Sequence, residues 1–326
     1  MCFCFSYYFR WKKRNAMDSR NSTTVTYFIL VGLAEYPRAQ IIFFCLLLVS
    51  YLVTMLGNSL ILLLIHYDPQ LHTPMYFFLS NLSFLDICFT LSIMPQVLVN
   101  CLVKIPIISL GECLAQMCVL LYLGVIECFL LAVMAYDRFV AISDPLHYAM
   151  KMRPQLCVQL AVLPWLISFL LSVVPILTMP LDFCGHYIIN HFSCELLAIL
   201  KLACNDLKFY ELLMMATSFL TLPLPFTFTL ASYMRILGAV LKMRSADGRR
   251  KAFSTCTSHL TVVVIFYGTA ISMYMMPQDK VRRDVDKIIS MLYFIVIPML
   301  NPIIYSLRNK DVKGAFRKLI GGKNDS

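Results

Sequence analysis

The sequence predicts an all-α membrane protein, a bundle of seven transmembrane helices followed by a short amphipathic eighth helix. Hydrophobic residues make up 60% of the chain and charged residues only 14%, whereas a soluble domain is close to half apolar and a quarter charged. Seven stretches with few or no charges can each supply the roughly 20 apolar residues that cross about 30 Å of hydrocarbon. Lipid cannot satisfy backbone hydrogen bonds, so these stretches are expected to be helices.

The chain is expected to form one domain, because it contains no internal repeat and no Gly/Ser-rich linker. We predict an extracellular N-terminus over residues 1–39, a transmembrane domain over residues 40–307, and a cytoplasmic amphipathic helix and tail over residues 308–326. The seven spans are expected at about residues 40–66, 74–100, 113–142, 154–180, 210–240, 251–276 and 288–307.

Basic residues predict the orientation of the chain in the membrane. The segments 137–153, 235–251 and 308–326 hold 15 Lys and Arg residues, against seven in the opposite loops. Cytosolic loops are the ones that carry an excess of Lys and Arg, so the N-terminus is expected outside and the C-terminus inside. The net charge of +10 is therefore interpreted as attraction to anionic membrane lipid, not as nucleic-acid binding.

The first residues of the chain do not fit this distribution of basic residues. Residues 1–16 carry four basic residues that would have to be translocated, whereas Met17 begins a more ordinary polar leader. We interpret residues 1–16 as an alternative-start extension, with a disordered tail as the other reading. The sequence Asn-Ser-Thr at residues 21–23 is a glycosylation sequon, which predicts a lumenal glycan on Asn21.

Four of the 13 cysteines lie at the outer start of span three or in the exofacial loop of residues 182–211, where the oxidising lumen favours disulfides. Four cysteines allow three pairings, and their positions in the chain do not choose among them. A zinc site is the weaker alternative, because no C-x-x-C pair is present. The four residues are Cys113, Cys184, Cys194 and Cys204.

Two carboxylates lie in the middle of predicted spans, Asp86 in span two and Glu127 in span three. Such residues are costly in hydrocarbon and normally face the interior of the bundle. With no Lys or Arg buried beside them, they require a bound cation, a shared proton or water. Our hypothesis is a sodium ion between them, and protonation of one or both carboxyls is the alternative.

Two further motifs lie near the predicted cytosolic ends of spans. Asp137 and Arg138 end span three, and an ion pair at this position suits a switch because it is costly to place and easy to rearrange. Span seven contains the pattern Asn301-Pro302-x-x-Tyr305. Pro302 removes a helical hydrogen-bond donor, which predicts a kinked, adjustable end of this helix.

Four separate motifs, which occur in the chain in the order given below, together resemble those of vertebrate odorant receptors of the tetrapod-type, class II branch. The resemblance extends over roughly residues 21–319 and implies a rhodopsin-like receptor, not an enzyme. It also implies that a small neutral odorant activates a stimulatory, olfactory-type G protein and raises cAMP. The motifs are Leu71-His72-Thr73-Pro74-Met75-Tyr76, Met134-Ala135-Tyr136-Asp137-Arg138 with Asp144-Pro145-Leu146-His147-Tyr148, Lys251-Ala252-Phe253-Ser254-Thr255-Cys256-Thr257-Ser258-His259-Leu260, and Pro298-Met299-Leu300-Asn301-Pro302-Ile303-Ile304-Tyr305.

The resemblance also assigns roles to residues of this chain. It implies an activation switch made of Asp137, Arg138, Tyr233, Asn301, Pro302 and Tyr305, and an inter-helix polar network that includes Asn58, Asp86 and Asn301. It further implies one disulfide between Cys113 and Cys194 and a second between Cys184 and Cys204.

A ligand pocket is expected between helices, lined by apolar residues with a few polar groups. Tyr267, Ile271 and Tyr274 are spaced four and three apart on one face of span six, although such spacing is equally typical of packing. The predicted set carries hydroxyls but no cation, so a neutral volatile ligand fits. The resemblance implies that the pocket-facing positions are Leu120, Leu121, Gly124, Val125, Thr217, Thr221, Tyr267, Ile271 and Tyr274.

Two alternative functions remain open from the sequence. A receptor of the same family could respond to an endogenous metabolite outside the olfactory epithelium. An ion-coupled transporter could use Asp86 and Glu127 as an ion path, but it would need discontinuous helices and usually internal repeats.

Overall fold

The computed structural model describes residues 25–32, 37–183, 187–206, 208–242, 245–275, 283–308 and 310–320. Residues 1–16, the alternative start at Met17, the sequon at Asn21 and Cys184 lie outside these ranges. The expectations for these residues, including the Cys184–Cys204 pair, therefore stay predictions.

The described residues contain seven helices that are long and apolar enough to cross a membrane, which confirms the predicted fold class. An eighth helix follows the seventh. The helices are α1 (Pro37–Tyr67), α2 (Pro74–Asn100), α3 (Leu110–Ser143), α4 (Pro154–Thr178), α5 (Lys208–Thr221 and Pro223–Lys242), α6 (Ala246–Tyr274), α7 (Arg283–Met291, Leu292–Val296 and Ile297–Arg308) and α8 (Lys310–Ile320).

Three of the spanning helices are irregular. A π-helical segment, Phe169–Val173, interrupts α4, and another, Leu292–Val296, interrupts α7. The two segments of α5 are separated at Leu222, directly before Pro223. Proline has no N–H to donate to the preceding turn, so a break at Pro223 follows from its chemistry. Spanning helices tolerate such breaks where neighbouring groups satisfy the freed backbone.

The chain divides into two compact units, and the first comprises the described parts of Met1–Val49, Leu91–Gly124 and Ser168–Thr217. It contains a small sheet with strand order β2-β1-β3, built from β1 (Tyr27–Leu30), β2 (Ile107–Ser109) and β3 (Ile188–Ile189). β1 pairs antiparallel with β2 and parallel with β3. The buried side chains of the sheet join a core cluster that includes Phe28, Leu30, Ile108 and Ile189.

A disulfide joins Cys113 at the start of α3 to Cys194 in the α4–α5 connection, which is the pairing that the resemblance implies. Gln116, one turn further along α3, strengthens this junction. Its side-chain oxygen accepts a hydrogen bond from the Cys194 N–H (3.0 Å), and its amide donates to the Ser92 carbonyl (3.1 Å) and to Gln96 Oε1 (3.0 Å). One amide therefore ties α2, α3 and the connection together.

The second unit comprises Ser50–Thr90, Val125–Ile167 and the described part of Ser218–Ser326. Its core is rich in aromatic contacts. Phe89 of α2 lies with its ring centroid 5.5 Å from that of Phe294 and 6.0 Å from that of Tyr293, and Phe266 of α6 lies 5.3 Å from Tyr293. All four rings are buried, so α2, α6 and the irregular segment of α7 pack on a shared aromatic cluster.

α8 is fastened to the α1–α2 connection. Lys318 donates to Asp68 Oδ2 at 3.0 Å and to Gln70 Oε1 at 2.9 Å, and Tyr76 donates to Asp311 at 3.0 Å. The Gln70 backbone N–H and then Lys318 lower the pKa of Asp68 below its ordinary value, because both hydrogen-bond to the charged carboxylate. The side chains of Val312 and Ala315 are buried, whereas Phe316 and Leu319 are exposed, as expected of a helix at a membrane surface.

Gly57 of α1 lies against Pro302 of α7 within the second unit. A Cβ atom at residue 57 would be 2.9 Å from both Cβ and Cγ of Pro302, closer than carbon atoms approach without strain. The ring of Pro302 cannot rotate away, because it is closed onto the backbone. The two helices can therefore approach this closely only with glycine at residue 57.

We expect Gly57→Ala to destabilise the protein by about 1–3 kcal/mol, the usual cost of overpacking a filled interior. The measurement is the midpoint of thermal unfolding of the purified protein in detergent. Gly268→Ala is the matched control, since a Cβ at Gly268 meets nothing within 4 Å and alanine is the better helix former. An equal or higher midpoint for Gly57→Ala than for the control would contradict the close approach.

Candidate functional site

The ion pair at the end of α3 is held from two sides. Arg138 Nε lies 3.0 Å from Asp137 Oδ2, and Arg138 Nη2 contacts the same oxygen. The Tyr148 hydroxyl, from the α3–α4 connection, donates to the other oxygen, Oδ1, at 2.7 Å. The side chain of Asp137 is only 1% exposed, so both of its oxygens are satisfied by protein groups as burial requires.

The α3–α4 connection has its own charge cluster. Asp144 contacts Lys151 Nζ at 2.9 Å and His147 Nδ1 at 2.8 Å. The hydrogen bond from Lys151, followed by that from His147, lowers the pKa of Asp144 to about 2. Burial, and then donation to Asp137, raises the pKa of Tyr148.

These two shifts fix the charge state of the connection at ordinary pH. A carboxyl group whose pKa is lowered by folding stabilises the folded state at any pH above its pKa in the unfolded chain. That stabilisation is lost as the pH falls through its pKa in the folded state. Asp144 therefore stays charged throughout the physiological range. Tyr148 stays protonated over the same range, so it remains a hydrogen-bond donor to Asp137.

A buried polar network joins α1, α2 and α7 in the second unit. The Asn301 amide donates to both oxygens of Asp86, at 3.1 and 3.0 Å. The Asn58 amide donates to the carbonyls of Thr54 (3.0 Å) and Pro298 (3.3 Å). Asn58, Asp86 and Asn301 are each 2% exposed or less, so these bonds are formed away from solvent and fix the relative positions of the three helices.

Several acceptor oxygens near this network lack a donor in the part of the chain that the structure describes. They are Oε1 of Glu127, Oδ1 of Asn58 and Oδ1 of Asn301. Glu127 also lies within electrostatic range of Asp86. A buried acceptor without a donor costs about 1–3 kcal/mol, so the network has room for an added donor or positive charge.

Two tyrosines predicted as switch residues have other surroundings in this conformation. The Tyr233 hydroxyl of α5 lies 2.5 Å from His259 Nδ1 of α6. The Tyr305 hydroxyl is buried and has no hydrogen-bond partner among the described residues. Among the described residues, neither hydroxyl bonds to Arg138. The Arg138 side chain is bonded to Asp137 instead.

The predicted ligand-binding residues belong to both units. Leu120, Leu121, Gly124 and Thr217 lie in the first unit, and Val125, Thr221, Tyr267, Ile271 and Tyr274 lie in the second. The Thr217 hydroxyl donates to the Met214 carbonyl at 3.0 Å, and Thr221 donates to the Ser218 carbonyl at 3.4 Å. Each hydroxyl keeps its acceptor capacity. Their role in ligand binding stays a prediction.

Tyr267 has a defined structural role in addition to its predicted one. It is fully buried, and its hydroxyl donates to the Cys128 carbonyl of α3 at 2.6 Å. Its ring centroid lies 5.1 Å from that of Phe226 in α5. Tyr267 therefore links α6 to α3 and to α5, whereas Ile271 and Tyr274 further along α6 are half-buried.

Sequence reasoning did not assign three residues that the structure brings into these sites, Gln116, Tyr148 and His259. Gln116 follows Cys113 by three residues and thus shares its helix face, which was the available signal. Tyr148 belongs to the motif of residues 144–148, to which the resemblance assigns no role. His259 likewise belongs to a motif that assigns it no role, and its partner Tyr233 is distant in sequence.

Comparison with known proteins decides the family. The model of the olfactory receptor family matches residues 44–323. The chain belongs to the olfactory receptor family. It is 53% identical to Olfactory receptor 13H1 of Homo sapiens over 305 residues, which covers 94% of this chain and 98% of the relative. It is 49% identical to Olfactory receptor 2G3 of Homo sapiens over 308 residues, covering 94% and 100%, and 47% identical to Olfactory receptor 2B6 of Mus musculus over 305 residues, covering 93% and 97%.

Membership of the olfactory receptor family defines the broad class of function. Its members are G-protein-coupled signalling receptors and not enzymes, and odorants and heterotrimeric G proteins are their general partners. Together with the seven apolar helices, this makes the chain a multi-pass membrane receptor.

Tyr148→Phe tests the restraint on the ion pair. The substitution removes only the hydroxyl that donates to Asp137, and hydrogen bonds to charged groups contribute about 1.5–3 kcal/mol. We expect basal G-protein activation to rise severalfold, because the carboxylate that holds Arg138 loses one anchor. The measurement is nucleotide exchange on the G protein in membranes, normalised to receptor number. Tyr67→Phe, at an exposed residue of α1, is the control, and identical basal rates for both variants would contradict the restraint.

Proposed function

We propose that this chain is an odorant receptor that binds a small, neutral, mostly apolar ligand and activates a stimulatory, olfactory-type G protein to raise cAMP. The observation that carries the proposal is the Asp137–Arg138 pair, buried against Tyr148 at the end of α3, in a member of the olfactory receptor family. An ion pair held by only a few bonds at a helix end can exchange partners at low cost when a ligand shifts the balance between conformations.

The proposed orientation has the N-terminus outside the cell and the C-terminus in the cytosol. Cys113 and Asp137 are separated by 24 residues of continuous helix, about 36 Å of rise, which exceeds the roughly 30 Å hydrocarbon thickness. The disulfide of Cys113 is favoured in the oxidising lumen. This supports placing Asp137, Arg138 and the basic connections on the cytosolic face, where a G protein is available.

A neutral ligand is supported by the chemistry of the predicted pocket residues. They offer aliphatic and aromatic surface with hydroxyls from Thr217, Thr221 and Tyr274, and no cationic side chain. Burying a charged ligand among such groups would leave its charge without a partner, at a high cost in free energy. The Tyr267 hydroxyl is already committed to the Cys128 carbonyl, so this residue would present its ring to a ligand.

Signalling follows if the odorant binds the active arrangement more tightly than the resting one. In the resting arrangement Arg138 is held by Asp137, and Tyr233 is held by His259. Tyr267 connects α6 to α3 directly. A ligand that displaces the Tyr267 ring would weaken the contact of α6 with α3. Tyr233 and Arg138 would then leave their present partners and approach each other. This movement would open a cavity for the terminal helix of the G protein.

We further propose that a sodium ion binds at Asp86 and Glu127 and stabilises the resting arrangement. The donor set fits a hard cation, which prefers oxygen ligands. Asp86 and Glu127 supply carboxylates, and the amide oxygens of Asn58 and Asn301 are buried without a partner among the described residues. The amide nitrogen of Asn301 donates to Asp86, so this side chain already lies beside the carboxylate. The ion would supply positive charge to an otherwise uncompensated pair of carboxylates.

The ligand proposal is tested with a library of neutral volatile compounds in cells that carry a cAMP reporter. We expect Tyr274→Ala to raise the half-maximal concentration of an active compound at least tenfold, because loss of a buried aromatic contact costs roughly 1.5–3 kcal/mol. Tyr67→Ala is the exposed control. Responses to carboxylates or amines only would contradict the ligand class, and responses that persist in cells lacking the stimulatory Gα subunits would contradict the coupling.

The sodium proposal is tested by replacing external and internal sodium with a bulky organic cation. We expect wild-type basal cAMP to rise on sodium removal, and Asp86→Asn and Glu127→Gln to abolish this dependence. Glu112→Gln, at an exposed acid of the same helix α3, should leave it intact. Unaltered sodium sensitivity in both span variants, or no sensitivity in the wild type, would eliminate the site.

A further inference from the structure

A cavity of about 510 Å³ lies in the second unit among α3, α4 and α5, and no function has been assigned to it. Its volume falls within the roughly 300–1,000 Å³ of small-molecule sites. Four residues of α3, five of α4 and three of α5 line it, and none of them belongs to the predicted odorant-binding set.

The cavity opens toward the hydrocarbon of the membrane. Its lining includes Leu163 of α4 and Leu224 and Phe228 of α5, which are 50%, 56% and 48% exposed and lie within spanning helices. Water is absent from the hydrocarbon region, so the molecule that enters must come from the membrane itself. This restricts the occupant to a lipid-soluble compound.

The cavity results from small and rigid residues at positions where helices normally interdigitate. Ala132 presents only a methyl group from α3, and Pro164 and Pro225 are closed rings in α4 and α5. Larger side chains lie at its two ends, with Phe129 near one end of the α3 face and Tyr136 near the other. Helices α3 and α4 therefore leave a gap that their own side chains do not fill.

The dimensions of the cavity favour a flat, rigid occupant over a single lipid tail. Its α4 wall extends from Leu156 to Ile167, about 16 Å of helix rise, which is about half of the roughly 30 Å hydrocarbon thickness and so one leaflet. The volume divided by that length gives a mean cross-section of roughly 30 Å². One hydrocarbon chain with carbon contacts at about 4 Å needs only about half of this area.

The polar groups of the lining are confined to one place. Tyr136 is the lining residue with a hydrogen-bonding side chain, and its hydroxyl has no partner among the described residues. It lies at the end of the cavity next to Asp137, where α3 leaves the membrane in the proposed orientation. A matching ligand carries one hydroxyl at the headgroup end and is otherwise hydrocarbon.

We infer that the cavity among α3, α4 and α5 is a binding site for a membrane sterol. The fused rings lie along Leu160 and Leu163 of α4, the edge contacts Phe129 and Phe228, and the sterol hydroxyl bonds to Tyr136. The sterol belongs to the leaflet nearest Asp137. It fills the space beside the second segment of α5, which has no helical hydrogen bond from Pro223 or Pro225 to the preceding turn.

The test uses the full-length receptor in phosphatidylcholine vesicles with a cholesterol analogue that carries a photoreactive diazirine on its ring system. We expect saturable labelling of α3 and α4 residues that line the cavity. Unlabelled cholesterol should compete, and its mirror-image enantiomer, which has the same bulk effect on membranes, should compete at least tenfold less well. Non-saturable labelling, or equal competition by the two enantiomers, would overturn the site.

Variants locate the site and distinguish a sterol from a phospholipid tail. Leu163→Trp and Ala132→Leu narrow the cavity and should reduce labelling at least tenfold, whereas Leu166→Trp, 59% exposed on α4 but outside the lining, should not. Tyr136→Phe should weaken competition by cholesterol roughly three- to tenfold, the effect of one neutral hydrogen bond. Each variant is compared only after it elutes as a monodisperse species.

Two results would refute the sterol assignment. One is labelling at the wild-type level in both Leu163→Trp and Ala132→Leu, when each variant elutes as a monodisperse species. The other is saturable labelling of the same residues by a phosphatidylcholine with a photoreactive acyl chain that cholesterol fails to displace, which would make the cavity a phospholipid-tail site.

Discussion

The structure of this receptor depends on one constraint, that hydrocarbon forms no hydrogen bonds. A polar group inside a span is therefore strongly stabilised by a partner in the protein, and such pairs connect helices that hydrophobic packing alone would not fix in register. Asn301 bonded to Asp86 joins α7 to α2, Asn58 bonded to the Pro298 carbonyl joins α1 to α7, and Tyr267 bonded to the Cys128 carbonyl joins α6 to α3. In the first unit the Gln116 amide plays the corresponding part.

The same constraint explains how a stable bundle can also switch. A polar group in a low-dielectric interior gains much from any partner, so exchanging one partner for another changes the free energy little, whereas losing a partner changes it greatly. Among the described residues, Asp137 is the acid that contacts Arg138, and Tyr233 is paired with His259, so both groups have partners in this conformation. The buried Tyr305 hydroxyl and Glu127 oxygen have no partner among the described residues, and they are the groups that gain when helices, water or an ion move.

The sequence was informative wherever a property depends on neighbouring residues. Charge-free stretches predicted the spanning helices because transfer into lipid is close to a sum over residues, and Asp137 is adjacent to Arg138 in the chain. Resemblance to a family supplied the Cys113–Cys194 pair, which the positions of the cysteines left open. Interactions between distant residues were not predictable, as the bonds of Tyr148 to Asp137 and of Tyr233 to His259 show. The π-helical segments of α4 and α7 each end two residues before a proline, Pro175 and Pro298, but a proline alone does not determine whether a helix kinks, breaks or widens at that point.

In the proposed orientation the chain crosses the membrane seven times and presents Asp137 and Arg138 to the cytosol. Epitope tags fused to both ends of the chain, stained on intact and then on permeabilised cells, test it most directly. Seven spans in the proposed orientation require the N-terminal tag to stain on intact cells and the C-terminal tag to stain only after permeabilisation. Staining of both tags on intact cells, or of the C-terminal tag alone, would contradict it.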